Sequence, residues 1–389
     1  MPIALNRRTF LRTTAIAGGT TAFSGALWQQ AFAGPAQPGP GPYGPLLAAD
    51  GNGVQLPAGF TSRVVARSLQ RVEGTRYTWH PAPDGGACYR DGAGWVYVSN
   101  SEVPVVGGAS AVKFDATGKI TSAYRILNGT TLNCAGGATP WNTWLSCEEH
   151  DFGLVYETDP YGQKAAKAHP AMGRFKHEAA ACDPVRKVVY MTEDVGNGCF
   201  YRFLPTTWGD LSKGTLQVLI GTGLGAVRWA NVPNPQMWLT PTRDQVQGAM
   251  RFSGGEGCYY AGGICYFTTK GDNRVWAYDA NAERLDLAYD DDLVPGGAAP
   301  LHGVDNITGA ASGDLYIAED GDNMEINLIT PDGVVTPFLR VVGHDESEIT
   351  GPAFSPDGSR LYFSSQRGKS GFVAGTDGHT FEVTGPFRH

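Results

Sequence analysis

Six short stretches of this chain share one residue pattern. In each, an aromatic residue between aliphatic residues is followed by small hydroxyl-bearing residues and then by a polar or charged end. The aromatic residues are Tyr97, Trp144, Tyr190, Tyr266, Tyr316 and Tyr362. Their spacings are 47, 46, 76, 50 and 46 residues, and a repeat of about 45 residues with several strands is typical of β-propeller blades. The sequence therefore predicts an all-β chain that folds as a six-bladed β-propeller.

Two parts of the chain fall outside the regular repeat. The 76-residue spacing predicts an insertion between Leu204 and Met250, where prolines and tryptophans interrupt the strand pattern. The stretch from Gly59 to Ser68, ahead of the first repeat, is expected to complete the last blade and close the ring. A seven-bladed propeller, with strands of its own between Leu46 and Ser68, is the less favoured alternative.

The first 33 residues have the features of an export signal. A twin arginine, Arg7-Arg8, precedes an apolar stretch from Thr13 to Leu27, and Ala31-Phe32-Ala33 offers a cleavage site. The apolar stretch is shorter than the roughly 20 residues of a membrane-spanning helix, which favours twin-arginine export over an ordinary secretory signal or an anchor. We expect a periplasmic or extracellular protein that is handled by the twin-arginine export machinery. Residues 34–45 are predicted to be a Pro/Gly-rich linker and residues 46–389 the propeller.

Charge and motif content exclude several classes of function. The net charge of −8 argues against nucleic-acid binding, which needs a basic surface. The sequence contains no G-x-S-x-G nucleophile elbow, no phosphate-binding P-loop and no H-E-x-x-H motif. The number of cysteines, seven, is odd, so at least one thiol is unpaired if all pairing is intramolecular. We expect a monomer that acts on a small molecule and has no membrane span in its mature form.

A polar residue precedes each of the six repeats at a similar distance. The innermost strand of a propeller blade lies along the central channel, so residues at its start are expected at the channel mouth. Small residues follow each polar residue, and small residues allow backbones to crowd around an axis. These polar residues are Asp84, Cys134, Glu178, Glu256, Asp305 and Glu348.

A second polar set follows the repeats. It consists of Glu102, Glu148 with Glu149, Glu193 with Asp194, Lys270 with Asp272, Glu319 with Asp320, and Gln366 with Arg367. Strand direction decides whether both sets lie at one end of the channel. If they do, like charges at that density require cations. Calcium takes roughly six to eight oxygen ligands, and a thiol among the oxygens suggests a softer metal such as iron. Any one of these acidic residues, taken alone, is more often a solvated turn than a ligand.

Four stretches resemble the PhoX-type alkaline phosphatases: NCAGGATPWNTWLSCEE, GRFKHEAAACDP, YMTEDVGNGCFYRF and YIAEDGDN. The likeness extends from about Trp79 to Phe387, most of the chain that follows the signal. The resemblance implies a propeller whose channel mouth holds calcium and iron. It also implies hydrolysis of phosphate monoesters outside the cytoplasm.

The resemblance also assigns roles to residues of this chain. It implies that Glu102, Glu148 or Glu149, Glu178, Glu256, and Glu319 with Asp320 are metal ligands. The polar sets add Cys134, Glu193 and Asp305 as candidate ligands, whereas Cys147 is expected to be structural. The candidate catalytic residues are Lys270 and Arg367, which suit an anionic phosphate, and Asn100, which lies two residues before Glu102.

Two positions depart from the family pattern. Larger members carry Arg-Pro-Glu where this chain has Gly254-Gly255-Glu256, so Lys270 or Arg367 would have to hold phosphate in place of that arginine. The stretch that ends at Glu102 reads N-S-E where the larger members have N-H-E. Two alternatives therefore remain: a calcium-dependent propeller lactonase without iron, and a non-catalytic propeller that calcium holds together.

Overall fold

The computed structural model describes residues 34–321 and 323–389, which form six sheets arranged as the blades of a propeller. The predicted all-β, six-bladed fold is confirmed. The predicted signal peptide, residues 1–33, lies outside the described residues. Helical segments in the described part of the chain are short 3-10 turns: Pro170–Met172, Thr242–Asp244, Lys270–Asp272, Asp291–Leu293, Pro295–Gly297 and Gly368–Ser370. Across residues 34–321 and 323–389, no helix is long and apolar enough to cross a membrane.

The first three blades follow one another along the chain, each running from an inner strand at the channel to an outer strand at the rim. Three strands precede them: β1 (Gln37–Pro38), β2 (Val54–Gln55) and β3 (Thr61–Arg67). Blade 1 consists of β4 (Pro83–Asp91), β5 (Gly94–Ser101), β6 (Gly107–Phe114) and β7 (Ile120–Thr130). Blade 2 consists of β8 (Asn133–Ala138), β9 (Trp144–Glu148), β10 (Val155–Thr158) and β11 (Lys167–Ala168). Blade 3 consists of β12 (His177–Asp183), β13 (Val188–Glu193), β14 (Phe200–Thr207), β15 (Asp210–Ile220) and β17 (Arg228–Asn231).

The remaining blades borrow strands from elsewhere in the chain. Blade 4 consists of β18 (Gly255–Ala261), β19 (Ile264–Thr269), β20 (Arg274–Asp279) and β21 (Arg284–Asp290), with β16 (Gly225–Ala226) at its edge. Blade 5 consists of β22 (Val304–Gly309), β23 (Leu315–Glu319), β24 (Glu325–Ile329) and β25 (Val334–Val341), and both β1 and β2 pair with β25. Blade 6 consists of β26 (Ile349–Phe354), β27 (Arg360–Ser365) and β28 (His379–Thr384), completed by β3.

The two ends of the described chain meet in blade 6. Strand β3 pairs antiparallel with β28, with Thr61 opposite Thr384 and Arg67 opposite His379. The stretch ahead of the first repeat therefore supplies the outer strand of the last blade, as the sequence predicted. This pairing closes the ring at six blades, and every strand of residues 34–321 and 323–389 belongs to one of them.

Residues 34–45, predicted to be a linker, lie against the propeller. Ala36 is fully buried and its backbone N–H donates to the carbonyl of Ala288 over 2.8 Å. Strand β1 pairs in parallel with β25, and the ring of Tyr43 packs edge-on against Phe60 and Phe338. The segment thereby covers backbone groups at the exposed edge of blade 5, where an open strand would invite pairing with another chain.

The aromatic residue of each repeat fills the interface between neighbouring blades. All six are buried to 2% exposure or less. Tyr97 of blade 1, for example, stacks on Tyr362 of blade 6 with ring centroids 4.9 Å apart. Burial of a large apolar side chain contributes about 2 kcal/mol, and aromatic pairs add to this. Packing between blades thus explains why the repeat keeps an aromatic residue at this place.

Candidate metal centre

Strand register brings both polar sets to the same end of the channel. In every blade the first residue of the inner strand pairs with the last residue of the second strand: Pro83 with Ser101, Asn133 with Glu148, His177 with Glu193, Gly255 with Thr269, Val304 with Glu319, and Ile349 with Ser365. Because the two strands are antiparallel, the start of the inner strand and the end of the second strand lie at the same end of the blade. The polar residue that comes directly after each paired residue therefore lies at that end too. We call this end of the channel the mouth.

The mouth is lined by two concentric sets of residues. The inner strands contribute Asp84, Cys134, Glu178, Glu256, Asp305 and, at the sixth position, Thr350. The second strands contribute Glu102, Glu149, Asp194, Lys270, Asp320 and Gln366. Glu348, which was expected at the sixth inner position, instead precedes strand β26 and forms an isolated bridge with Asp320. Glu348 is only 6% exposed, and its carboxylate is repelled by those of Asp320 and Asp84, so it still belongs to the mouth.

Every inner strand is irregular at the same place. The register of the first two strands shifts just after the mouth, between Pro83 and Gly86 in blade 1 and between His177 and Ala180 in blade 3, and likewise in the other four blades. Such β-bulges bend a strand and redirect one of its side chains. Glycine or alanine beside the bulge allows the inner strands to approach closely at the axis; a Cβ on Gly85 would lie 2.5 Å from the backbone of Ala135. The six bulges together direct one polar side chain per blade into the mouth.

The donor atoms of the mouth form a continuous arc. Asp84, Glu102 and Cys134 each offer one atom within 4.8 Å of the others, and so do Cys134, Glu149 and Glu178. Glu178, Glu256 and Asp305 form a third such group. Because Cys134 and Glu178 each belong to two groups, the three groups are one site. The Cys134 thiol lies 3.3 Å from Glu178 Oε1 and 3.7 Å from Asp84 Oδ2.

Positive and neutral donors hold some of these carboxylates. The Nζ of Lys270 lies 3.1 Å from Glu256 Oε1 and 3.2 Å from Asp320 Oδ2. The Nε2 of Gln366 donates to Asp84 Oδ2 over 2.6 Å and to Glu102 Oε2 over 2.7 Å. The sixth blade therefore closes the ring with an amide that binds the carboxylates of blade 1.

Two further cations contact the mouth. Arg367 Nη2 lies 3.0 Å from Glu348 Oε1, and Lys176 Nζ lies 3.4 Å from Glu149 Oε1. The sequence analysis did not identify Lys176. The sequence could have identified it from the F-K-H-E stretch, where the lysine stands two residues before Glu178. Residues two apart lie on the same side of an extended chain.

Negative charge at the mouth far exceeds these cations. Burial, together with repulsion from neighbouring carboxylates, raises the pKa of Asp84, Glu102 and Glu149 to about 7 each. The same two causes raise the pKa of Glu178 and Glu348 well above the ordinary value. Without added positive charge, the mouth would bind protons at neutral pH.

The donor set fits multivalent cations. Glu178 is fully buried, and its Oε2 has no hydrogen-bond partner among the described residues. A buried carboxylate oxygen without a partner is costly unless a cation or an ordered water binds it. Hard cations such as Ca²⁺ are bound by carboxylate oxygens, and a single thiol beside them adds a ligand that suits a transition metal such as iron.

Adjacent glutamates of blade 2 have different surroundings. Glu148 Oε1 accepts from the backbone N–H of Thr131 over 2.9 Å, and its Oε2 accepts from the N–H of Leu154 over 3.2 Å. Side chains alternate between the two faces of a strand, so Glu149 points the other way, towards the mouth. Glu149 is the member of this pair that the structure groups with Cys134 and Glu178.

Glu193 and Glu319 occupy the position of Glu148 in their own blades. Glu193 Oε2 accepts from the backbone N–H of Cys199 over 3.0 Å. Glu319 accepts from the N–H groups of His302 over 3.0 Å and of Glu325 over 3.2 Å. The structure therefore does not bring these two candidate ligands to the mouth, because their oxygens hold neighbouring loops. The residues that follow them, Asp194 and Asp320, face the mouth instead.

Asn100 is also separated from the mouth. Its side chain is fully buried, and Nδ2 donates to the carbonyls of Cys134 over 2.9 Å and Ala135 over 2.8 Å. Its Oδ1 accepts from Trp144 Nε1 over 2.9 Å and from Ser146 Oγ over 2.8 Å. All of its hydrogen-bonding capacity is used inside the protein, where it fixes the inner strand that carries Cys134. Cys147 is fully buried in the hydrophobic core between blades 2 and 3, in line with the structural role expected for it.

Comparison with known proteins agrees with this architecture. The sequence model of the family described as alkaline phosphatase PhoX matches residues 90–151, 150–288 and 286–368. The structure resembles the PhoX of Pseudomonas fluorescens in complex with vanadate, a transition state analogue, with 17% identity, a TM-score of 0.72, and coverage of 90% of this chain and 98% of that one. No curated protein sequence matches the chain.

More distant propellers share the fold alone. A gluconolactonase from Xanthomonas campestris has 12% identity and a TM-score of 0.52, and the match covers 89% of this chain and 99% of that one. A protein of unknown function from Bacteroides thetaiotaomicron has 10% identity and a TM-score of 0.51, and the match covers 83% of this chain and 76% of that one.

Proposed function

Because this chain belongs to the alkaline phosphatase PhoX family, we propose that it is an exported, metal-dependent phosphomonoesterase whose reaction takes place at the mouth of the propeller. The observation that carries this proposal is the continuous arc of donors from Asp84 and Glu102, through Cys134, to Asp305. This arc contains more negative charge than the neighbouring cations balance.

Calcium and iron are the proposed cofactors. Glu102, Glu149, Glu178, Glu256, Asp305 and Asp84 would supply oxygen ligands, and Cys134 would supply the sulfur ligand. When bound, multivalent cations neutralise the charge of phosphoryl oxygens and stabilise the charge that develops as the ester bond breaks. Asp194, Asp320 and Glu348 complete the negative lining of the mouth.

Three cationic side chains are proposed to position the phosphate. Burial alone would lower the pKa of Lys270, but the attraction of Glu256 and Asp305 raises it on balance, so the ammonium stays charged through the alkaline range. Its side chain is 37% exposed and can reach a ligand. Arg367 and Lys176 stand on either side of the arc, each paired with one carboxylate that a bound cation would compete for. Lys270 lies opposite Gly254, since Gly255 pairs with Thr269 and the backbone N–H of Lys270 donates to the carbonyl of Gly254 over 2.9 Å. This position supports Lys270 as the replacement for the family's arginine.

The cellular location is part of the same proposal. Arg7-Arg8 and the apolar stretch behind them support twin-arginine export to the periplasm or beyond. A chain folded before export can acquire its metals inside the cell, which suits a site that combines a thiol with carboxylates.

A lactonase is the second candidate. The likeness in fold to the gluconolactonase of Xanthomonas campestris and the oxygen-rich mouth favour it. A lactonase would need hard cations alone, so the partly buried thiol of Cys134 among the donors argues for the phosphatase. A non-catalytic propeller held together by calcium is the third possibility, and it would show metal binding without turnover.

Metal analysis of the natively exported protein, combined with two activity assays, tests these candidates. We expect calcium and iron, together with hydrolysis of an aryl phosphate that a chelator abolishes. Calcium without iron, with lactone hydrolysis and no phosphate release, would replace the phosphatase with the lactonase. Lys270→Gln should lower phosphate release, and Lys213→Gln, on an exposed strand away from the mouth, is the matched control.

A further inference from the structure

Several exposed apolar side chains lie on loops at the mouth end of the blades. Phe152 is 59% exposed on the loop that follows Glu149, and Phe372 is 58% exposed on the loop between β27 and β28. The most exposed pair is Trp238, at 79%, with Leu239, at 98%. Both lie in the connection between β15 and β18, which begins and ends at the mouth side of blades 3 and 4. Large exposed apolar side chains on loops beside a polar site suit a binding surface.

The loop that carries Trp238 and Leu239 is held from both sides. Arg174 N–H donates to the carbonyl of Pro235 over 2.8 Å, and the Thr242 hydroxyl donates to the carbonyl of Arg174 over 2.6 Å. Within the loop, Gln245 Nε2 donates to the carbonyl of Thr240 over 3.0 Å. Proline also fixes the backbone at position 235. The tip therefore presents its tryptophan and leucine in a defined place.

This loop is joined to the mouth through Arg174. The Nη1 of Arg174 donates to the carbonyl of Phe152 over 3.0 Å, which connects the two apolar loops. Two residues further on, Lys176 contacts Glu149, and its carbonyl accepts from the N–H of Asp194. The order from the rim to the channel is thus an apolar ring, then Arg174 and Lys176, and then the carboxylate arc.

The charge of this region decides between possible occupants. A second copy of the chain placed mouth to mouth would bring two acidic arcs together, and an anionic membrane surface would meet the same repulsion. A small anion with an apolar end meets no such repulsion, because Arg174 and Lys176 lie between the apolar side chains and the arc. Its phosphate would lie at the mouth and its apolar part against Trp238 and Phe152.

We propose that Trp238, Leu239 and Phe152 form a subsite for the organic part of the substrate, and that this part is an aromatic or other apolar group. The inference rests on the proposed phosphatase function and specifies the substrate class: phosphate monoesters with an apolar alcohol or phenol. An aromatic platform favours such groups by stacking and by removal of apolar surface from water.

The test compares an apolar and a polar ligand on the full-length, metal-loaded protein. The variant is Trp238→Ser combined with Leu239→Ser, and the control is Val185→Ser, which removes an apolar side chain that is 74% exposed at the opposite end of blade 3. For the double variant, we expect kcat/KM with naphthyl phosphate to fall about tenfold through KM, with glycerol phosphate unaffected. Calorimetric binding of phenylphosphonate should weaken by a similar factor, and that of methylphosphonate should not change.

The two proposals fail in different ways. Unchanged preference in the double variant, equal loss for both ligands, or an equal effect of Val185→Ser would overturn the subsite while leaving the phosphatase intact. Conversion of a wild-type dimer to a monomer by the double variant would assign the apolar surface to a second copy and also overturn it. A wild type that hydrolyses neither ester, yet prefers phenylphosphonate through Trp238, would contradict the phosphatase and support the subsite.

Discussion

Glu148 and Glu149 are neighbours in sequence but lie in opposite environments. The oxygens of Glu148 accept the backbone N–H groups of Thr131 and Leu154, whereas Glu149 faces the mouth, 3.4 Å from Lys176. One glutamate holds loops in place, and the other offers an oxygen to the candidate metal centre. The same division recurs in blades 3 and 5, so substitutions at the two positions should have separable effects.

Glu148→Gln should reduce stability and leave metal binding intact. The amide group of glutamine places a donor against a backbone N–H donor, and we expect a loss of about 2 kcal/mol in the free energy of unfolding. Glu149→Gln should instead lower metal content with little effect on unfolding of the metal-free protein. Denaturant titration and elemental analysis of both variants measure this. Equal metal loss in the two variants would contradict the division of roles.

Cys134→Ser should remove iron selectively. Serine keeps the size of the side chain but replaces a soft sulfur with a hard oxygen, so the iron-to-calcium ratio should fall. Cys182→Ser is the matched control, because Cys182 is also partly buried on an inner strand and lies beyond the bulge, away from the donor arc. Metal ratios that are the same in both variants would show that the thiol is not a ligand.

Removal of metal should make stability depend on pH. The pKa values of Asp84, Glu102 and Glu149, each raised to about 7, exceed the ordinary values near 4. Between about pH 4 and about pH 7, the folded metal-free protein thus binds more protons than the unfolded chain. Its free energy of unfolding therefore falls as pH rises through this range. Thermal unfolding in chelator should show this decline, and excess calcium should reverse it. A flat profile in chelator would contradict the raised pKa values.

Lys270→Gln should impair turnover more than folding. It removes the ammonium between Glu256 and Asp320, so we expect kcat/KM for an aryl phosphate to fall by roughly 100-fold, the loss typical of one charge-stabilising donor. Lys213→Gln should have no effect. Retention of full activity by the Lys270 variant would move the phosphate-holding role to Arg367 or Lys176.

Glu382→Gln should weaken ring closure. This buried carboxylate lies 2.7 Å from Arg63 Nη2 of β3 and 2.6 Å from Arg360 Nη1 of β27, and it accepts from the Tyr362 hydroxyl over 2.6 Å. Loss of its charge leaves two arginines without their partner, and we expect a decrease of about 3 kcal/mol in the free energy of unfolding. Chemical denaturation measures this change in the free energy of unfolding. Glu283→Gln, at an exposed ion pair, should change stability by less than about 1 kcal/mol.

The sequence was sufficient to predict the fold and the general place of the site. The aromatic residue of each repeat can be recognised in the sequence because every blade must fill the interface with its neighbour, as the stacking of Tyr97 on Tyr362 shows. The mouth residues of the inner strands can be recognised because a polar residue at the start of each inner strand is followed by small residues. Asp84, Cys134, Glu178, Glu256 and Asp305 all lie where that pattern predicted.

The sequence did not reveal which residue at the end of each second strand faces the mouth. Whether Glu148 or Glu149, or Glu319 or Asp320, faces the mouth depends on a register that the bulge shifts by one residue, and no local pattern reveals the bulge. Asn100 was misplaced for a related reason, since polarity alone does not distinguish a buried amide that fixes a strand from one that faces a ligand. The place of Lys176 beside the mouth was readable from its spacing to Glu178, but its contact with Glu149 joins two blades and could not be derived from the sequence.

Closure of the ring has a consequence for how the protein is made. Blade 6 needs Thr61–Arg67 and His379–Thr384, so synthesis must reach residue 384 before β3 finds its partner. Gln366, which follows the second strand of blade 6, donates to Asp84 and Glu102 of blade 1. Until blade 6 has been synthesised and has folded against blade 1, the carboxylates of Asp84 and Glu102 therefore stand side by side without the amide that binds both of them.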